Sequence, residues 1–85
     1  MAYEVLIKAS VEKEIRCLPS NVRERVNSAI LALREEPRPS GVRKLRREEG
    51  WRILVGDYRV VYSIDDGLRE VTVYRVRHRR DAYRF

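Results

Sequence analysis

Two runs of alternating side chains, WRILV (residues 51–55) and YRVVYSI (residues 58–64), stand on either side of the pair Gly56-Asp57. No other feature of the chain limits its fold as tightly. A two-residue loop with glycine first closes a type II′ turn, whose twist suits the antiparallel strands it joins. With that loop, Val55 pairs with Tyr58, Leu54 with Arg59, Ile53 with Val60 and Arg52 with Val61. Successive side chains on a strand point to opposite faces. Ile53, Val55, Tyr58, Val60 and Tyr62 therefore share a core face, and Arg52, Leu54, Arg59 and Val61 share the other.

A second turn, DDGL (residues 65–68), leads into REVTVYRV (residues 69–76). Whether the loop is Asp66-Gly67 or all four residues, Ile64 pairs with Arg69, Val60 with Val73 and Arg59 with Tyr74. Val71 and Val73 then extend the core, while Thr72 and Tyr74 join Arg52 and Arg59. Continued alternation brings His78 to that same face.

Upstream, YEVLI (residues 3–7) reads as a strand. Ser10 is placed to cap a helix in which Val11, Ile15 and Leu18 recur at helical spacing. Pro19-Ser20 ends it and caps a second helix, with Val22, Val26, Ala29, Ile30 and Leu33 on one face, up to the stops at Pro37 and Pro39. The expected fold is α+β in the order β-α-α-β-β-β, with two antiparallel helices packed on one face of a small, mainly antiparallel twisted sheet. At 85 residues the chain is expected to form a single domain over residues 1–85.

Composition narrows the chemistry. A lone cysteine, Cys17, excludes an internal disulfide, and with one histidine there is no zinc-binding spacing. A reducing cytoplasm suits such a chain. The opening MAYEVLIKAS lacks the basic start and apolar run of a signal peptide, and no stretch reaches the roughly 20 apolar residues of a bilayer span. No membrane partner is expected. There is no glycine-rich phosphate loop, no HExxH and no carboxylate pair suited to a metal. Glu48 and Glu49 read as a polar loop, Asp65 and Asp66 as turn formers.

The net charge of +6 is uneven: residues 42–85 carry twelve Lys/Arg against seven Asp/Glu, whereas residues 1–41 are nearly balanced. Sixteen of the nineteen basic residues are arginine, whose planar fork matches phosphate oxygens. The last twelve residues, YRVRHRRDAYRF, hold five of these arginines, the only histidine and two tyrosines. A cationic sheet face left uncovered by helices calls for a polyanion, and interleaved tyrosines favour stacking on single-stranded RNA. His78 is the default acid or base near neutrality. Tyr83 has a phenol of ordinary pKa about 10, but Arg79, Arg80 and Arg84 lie close enough in sequence to favour its phenolate.

The segments KLR (residues 44–46), WRILVGDYRVVYSIDD (residues 51–66) and VRHRRDAYR (residues 76–84) resemble the RelE/ParE superfamily of toxins, in its RelE branch. The resemblance runs the length of the chain. It implies a toxin of a type II toxin–antitoxin system that enters the ribosomal A site and cuts the mRNA codon there. Cleavage uses the neighbouring 2′-hydroxyl, with neither metal nor organic cofactor. The implied partners are the ribosome and mRNA, a cognate antitoxin, and operator DNA reached only through the antitoxin complex. By position, Arg59 matches the arginine that holds the scissile phosphate, Arg79 the one that stabilises the transition state, and Tyr83 the general base. Arg52 stands where the best-known members have a lysine, and His78 where some carry a basic residue. Lys44 and Arg46 match the RNA-contacting segment before the hairpin. Arg77 and Arg80 complete the basic tail. Leu54 departs from the pattern, because a second lysine occupies that position in the best-known members. HRRDAY argues against the gyrase-poisoning ParE branch. An inactive subunit that binds antitoxin and regulates its own operon is the non-enzymatic alternative.

Overall fold

The computed structural model describes residues 2–46 and 49–82. Strand β1 (Glu4–Ile7) leads into helices α1 (Ala9–Arg16) and α2 (Ser20–Ala32). Strands β2 (Arg43–Lys44), β3 (Trp51–Val55), β4 (Tyr58–Asp65) and β5 (Glu70–His78) follow, and a short helix α3 (Arg79–Ala82) ends the described chain. The strands form one sheet in the order β1-β5-β4-β3-β2, parallel only between β1 and β5. Among the described residues, no helix is long and apolar enough to cross a membrane.

The expected α+β order is present, with two additions, β2 and α3. Both are too short for any periodicity in sequence to announce them. Val11 and Ile15 of α1, and Val26 and Ile30 of α2, pack with Leu33 against Ile53, Val55, Val60, Tyr62, Val71, Val73 and Val76 of the sheet. Val22, Ala29 and Leu18 border this core half-buried, as does Trp51.

Neither serine caps a helix with its side chain. Lys8 is still extended, donating its N–H to the Val73 carbonyl, and its own carbonyl starts α1. Ser10 therefore falls inside the first turn. Pro19, with φ −53° and ψ 146°, is the N-cap of α2, and Ser20 is the first helical residue. That helix closes at Leu33 through tight turns, before Pro37 can withdraw an N–H.

The first hairpin has the expected register, pair for pair. Gly56 takes φ +59° and Asp57 does not enter the left-handed region, as a type II′ turn requires.

The second hairpin does not follow expectation. Asp65 pairs with Glu70 and Ile64 with Val71, so the loop is residues 66–69. The Asp65 carboxylate accepts the Leu68 N–H at 2.9 Å, and Arg69 closes the turn at φ 55°. A further irregularity follows: Tyr62 pairs with Val73 but Val61 with Arg75, leaving Tyr74 as an extra residue in β5. Beyond this bulge every β5 side chain changes face. Val60 now pairs with Val76, Arg59 with Arg77 and Tyr58 with His78.

One expectation about faces falls with that register. His78 belongs to the helix side with Tyr58, their rings meeting edge-on at 5.2 Å, and not to the arginine face. Val61 does lie on the arginine face but is buried there. The Tyr74 side chain starts on β5 and its hydroxyl bonds the Glu49 carbonyl, just before β3, so the side chain reaches across β4. Gly50 makes room for this: a Cβ there would lie 2.5 Å from the Tyr74 hydroxyl, and its φ of +146° is one that side chains disfavour.

Candidate nucleic-acid interface

The sheet face away from the helices begins with Arg52 and Arg59. Arg52 projects from β3 opposite Val61, and Arg59 from β4 opposite Leu54 on one side and Arg77 on the other. The Arg59 Nε is closed off from solvent. Strand β2 supplies the next cation. Arg43 is the register partner of Arg52, so both side chains leave the same face of the sheet.

Together Val42, Arg43, Lys44, Leu45, Arg46, Arg52 and Arg59 line a groove of about 820 Å³. Five of these seven residues are cationic, and none is acidic. Like charges directly opposite across a sheet repel, and an anion lying between Arg43 and Arg52 relieves that cost. The groove suits a phosphate backbone: guanidinium forks can take two oxygens at once.

Four residues expected from sequence, Lys44, Arg46, Arg52 and Arg59, thus meet at one groove. Lys44 sits at its margin, since it pairs with Trp51 and its ammonium lies 5.9 Å from the indole centroid. Arg38 stacks on the same ring at 5.1 Å. Arg43 went unrecognised in sequence. The signal was parity on a strand two residues long, visible only once its pairing with β3 is known.

Arg77 stands across from Arg59, with its Nε 3.3 Å from the Glu14 carboxylate of α1. Arg79 opens α3, and its N–H is held by the Asp57 carbonyl at 2.6 Å. The tail is thereby tied to the β3–β4 turn, two residues from Arg59. Arg80 is exposed in the same short helix. His78 faces the other way, and its Nδ1 accepts the Arg80 N–H at 3.2 Å. Tyr83, Arg84 and Glu48 lie outside the described residues.

A clamp at the opposite end of the sheet holds the β4–β5 turn. Arg38 makes a two-pronged ion pair with Asp66, at 2.9 and 3.3 Å, and Tyr3 donates its hydroxyl to the same carboxylate at 2.7 Å. The Arg38 guanidinium, then the Tyr3 hydroxyl, hold the Asp66 carboxyl below the usual carboxylate range. The same hydrogen bond pushes the Tyr3 phenol up. Asp66 is therefore more than a turn former. Tyr62, fully buried, donates to the Pro37 carbonyl at 2.7 Å, and burial pushes its phenol up to about 12.

A helical pair on a five-stranded sheet, with an arginine-rich groove whose described lining residues include no acid, has the architecture of the small toxins of type II toxin–antitoxin systems. The sequence bears this out: residues 5–83 match the family profile described as the ParE toxin of type II toxin-antitoxin system, parDE, and the chain belongs to that family. No curated protein sequence matches significantly. Solved structures do. The archaeal RelE–RelB complex from Pyrococcus horikoshii contains a chain 29% identical, with TM-score 0.83, the match covering 93% of this chain and 97% of that one. In the RelBE2 toxin–antitoxin complex of Mycobacterium tuberculosis the figures are 28% identity, TM-score 0.81, and 92% and 99% coverage. The intact Escherichia coli RelBE complex gives 32% identity, TM-score 0.76, and 88% and 94% coverage. The chain is a RelE-type toxin of the RelE/ParE superfamily.

Proposed function

We propose that this toxin is a ribosome-dependent mRNA endoribonuclease that cuts the codon in the A site. The observation that carries the reading is the cationic groove in which Arg52 and Arg59 meet Arg43 and Arg46, with no acid among its described lining residues, beside a tail tied to the Asp57 carbonyl. In this reading Arg59 grips the scissile phosphate and Arg52 lends it charge. Arg79, reaching in from the anchored tail, meets the charge that develops on the pentacoordinate phosphorus. Tyr83, four residues further on, takes the 2′-hydroxyl proton as its phenolate. The 2′-oxygen attacks the adjacent phosphorus, the P–O5′ bond breaks as the 5′-oxygen takes a proton from solvent water, and a 2′,3′-cyclic phosphate remains on the upstream fragment. These steps use side chains and water, without metal or organic cofactor. The reaction takes place in the cytoplasm, where ribosomes are.

The partner in this reading is a cognate antitoxin, as RelB is for the RelE chains in the solved complexes. Operator DNA is then bound only through that complex.

Mapping mRNA 3′ ends in a cell-free bacterial translation reaction tests the proposal. Cuts within A-site codons are expected, only with ribosomes present, and weakened by Arg79→Ala and Tyr83→Phe. Intact mRNA from a folded protein rejects it, and a supercoiling assay with DNA gyrase then asks whether the ParE activity is present instead. One observation favours a second reading. Leu54, 51% exposed opposite Arg59, puts an apolar side chain where a cation would serve cleavage. A catalytically weak subunit that binds antitoxin and regulates its own operon would show tight antitoxin binding with no toxicity.

A further inference from the structure

The bulge at Tyr74 turns the only histidine away from the arginine groove. What His78 does on the other face follows from the change of backbone conformation that begins there. Strand β5 ends at His78 and α3 begins at Arg79. The first N–H groups of a helix have no partner within it. Here two of them are met from outside the helix: the Asp57 carbonyl takes the Arg79 N–H at 2.6 Å, and the His78 Nδ1 takes the Arg80 N–H at 3.2 Å. A side chain accepting from the N–H two residues on is the role that asparagine and aspartate fill at helix starts. The ring is further fixed by its edge-on contact with Tyr58, 5.2 Å between centroids and 79° between planes. An imidazole nitrogen accepts only when it carries no proton. The bond therefore selects the neutral tautomer with its hydrogen on Nε2.

We propose that His78 is a positioning residue: through Nδ1 it closes the start of the tail helix and so sets where Arg79 is presented beside Arg59. It neither gives nor takes the proton in cleavage. The activity arm of the test rests on the ribonuclease reading above. The structural arm does not.

The experiment compares wild type, His78→Ala and His78→Asn as full-length chains. Asparagine keeps a short acceptor for the Arg80 N–H and cannot act as acid or base. Long-range proton–nitrogen spectra of the wild type are expected to show the Nε2–H tautomer. The Arg80 amide should exchange about five- to tenfold faster in His78→Ala, and His78→Asn should restore its protection. Cleavage on translating ribosomes should fall in kcat by a similar factor with alanine and recover with asparagine. A proton on Nδ1 in the neutral ring, or unchanged Arg80 exchange in the alanine variant, overturns the proposal. So does an asparagine variant that protects Arg80 yet fails to cleave, since the imidazole would then be needed for chemistry. If the wild type itself does not cleave, the ribonuclease reading fails, and the tautomer and exchange results still decide whether His78 holds the tail.

Discussion

Arg59 and Arg77 stand directly opposite each other on β4 and β5, in a pairing that exists only because Tyr74 is an extra residue in β5. Without the bulge an uninterrupted ladder would carry Val76, not Arg77, to the arginine face. The bulge thus brings two cations, Arg75 and Arg77, to the arginine face and removes His78 from it. Arg77 is held in part by Glu14, so the groove on the β3 side of Arg59 is the more open approach for a polyanion.

Leu54 is the point at which activity should be most easily raised. It is 51% exposed and in register with Arg59, so Leu54→Lys adds an ammonium to the same face. Cleavage on translating ribosomes should rise roughly tenfold or more, since one well-placed stabilising donor is commonly worth about 10²–10³ in rate. Like charges across the strands should cost about 0.2–1 kcal/mol, measurable by urea unfolding. A rate unchanged in a folded variant would show that Leu54 does not face the reacting phosphate.

Arg43 and Lys44 separate by parity. Arg43 is in register with Arg52, whereas Lys44 turns to Trp51. In fluorescence anisotropy with a single-stranded RNA oligonucleotide, Arg43→Ala should reduce the salt slope of log K by about 0.7, one phosphate contact. Lys44→Ala should reduce it less. The reverse order would place the RNA on the other side of β2.

Tyr62→Phe leaves the Pro37 carbonyl without its 2.7 Å donor in a buried position. The expected loss is about 1–3 kcal/mol, or a Tm lower by at least about 4 °C. The phenol is raised by burial to about 12, above its unfolded value of about 10. Its contribution is therefore complete below pH 10 and lost as pH rises through about 12. The gap between wild type and Tyr62→Phe should narrow over that interval in denaturant titrations.

Asp66 has the opposite sign. Its folded pKa is held down by Arg38 and then Tyr3, so the clamp stabilises above the unfolded carboxylate range, near about 3.9, and its contribution is lost as pH falls through the lowered folded value. Thermal melts of Asp66→Asn should show lower stability than wild type at pH 7. The difference should close in acid. An equal gap at pH 2 would assign the effect to turn geometry and not to the ion pair.

The hairpin around Gly56-Asp57 was legible because a two-residue loop leaves no freedom in register, and glycine supplies the one positive φ it needs. Most of the core was legible because helical and strand periodicities name residues that the packing buries; Val61 and Val76 were not among them, and Tyr58, expected there, is only half-buried. Arg52 and Arg59 followed from that hairpin alone. The start of α1 misled, because Lys8 was already held as strand by the Val73 carbonyl; at α2 the Pro19-Ser20 pair does mark the start, with Pro19 as the cap and no serine side-chain bond.

Sequence by itself determined the α+β order, the antiparallel hairpin, the cationic face and the family. All of these rest on local pattern, loop length and charge. Tertiary structure decided the second hairpin, where Arg69 in a left-handed conformation and the extra residue Tyr74 shift the ladder. It also decided the short strand that sets Arg43 beside Arg52, and the turning of His78 toward Tyr58. A strand's register is set by what it pairs with, and one inserted residue exchanges its two faces. No property of the inserted residue itself announces the change.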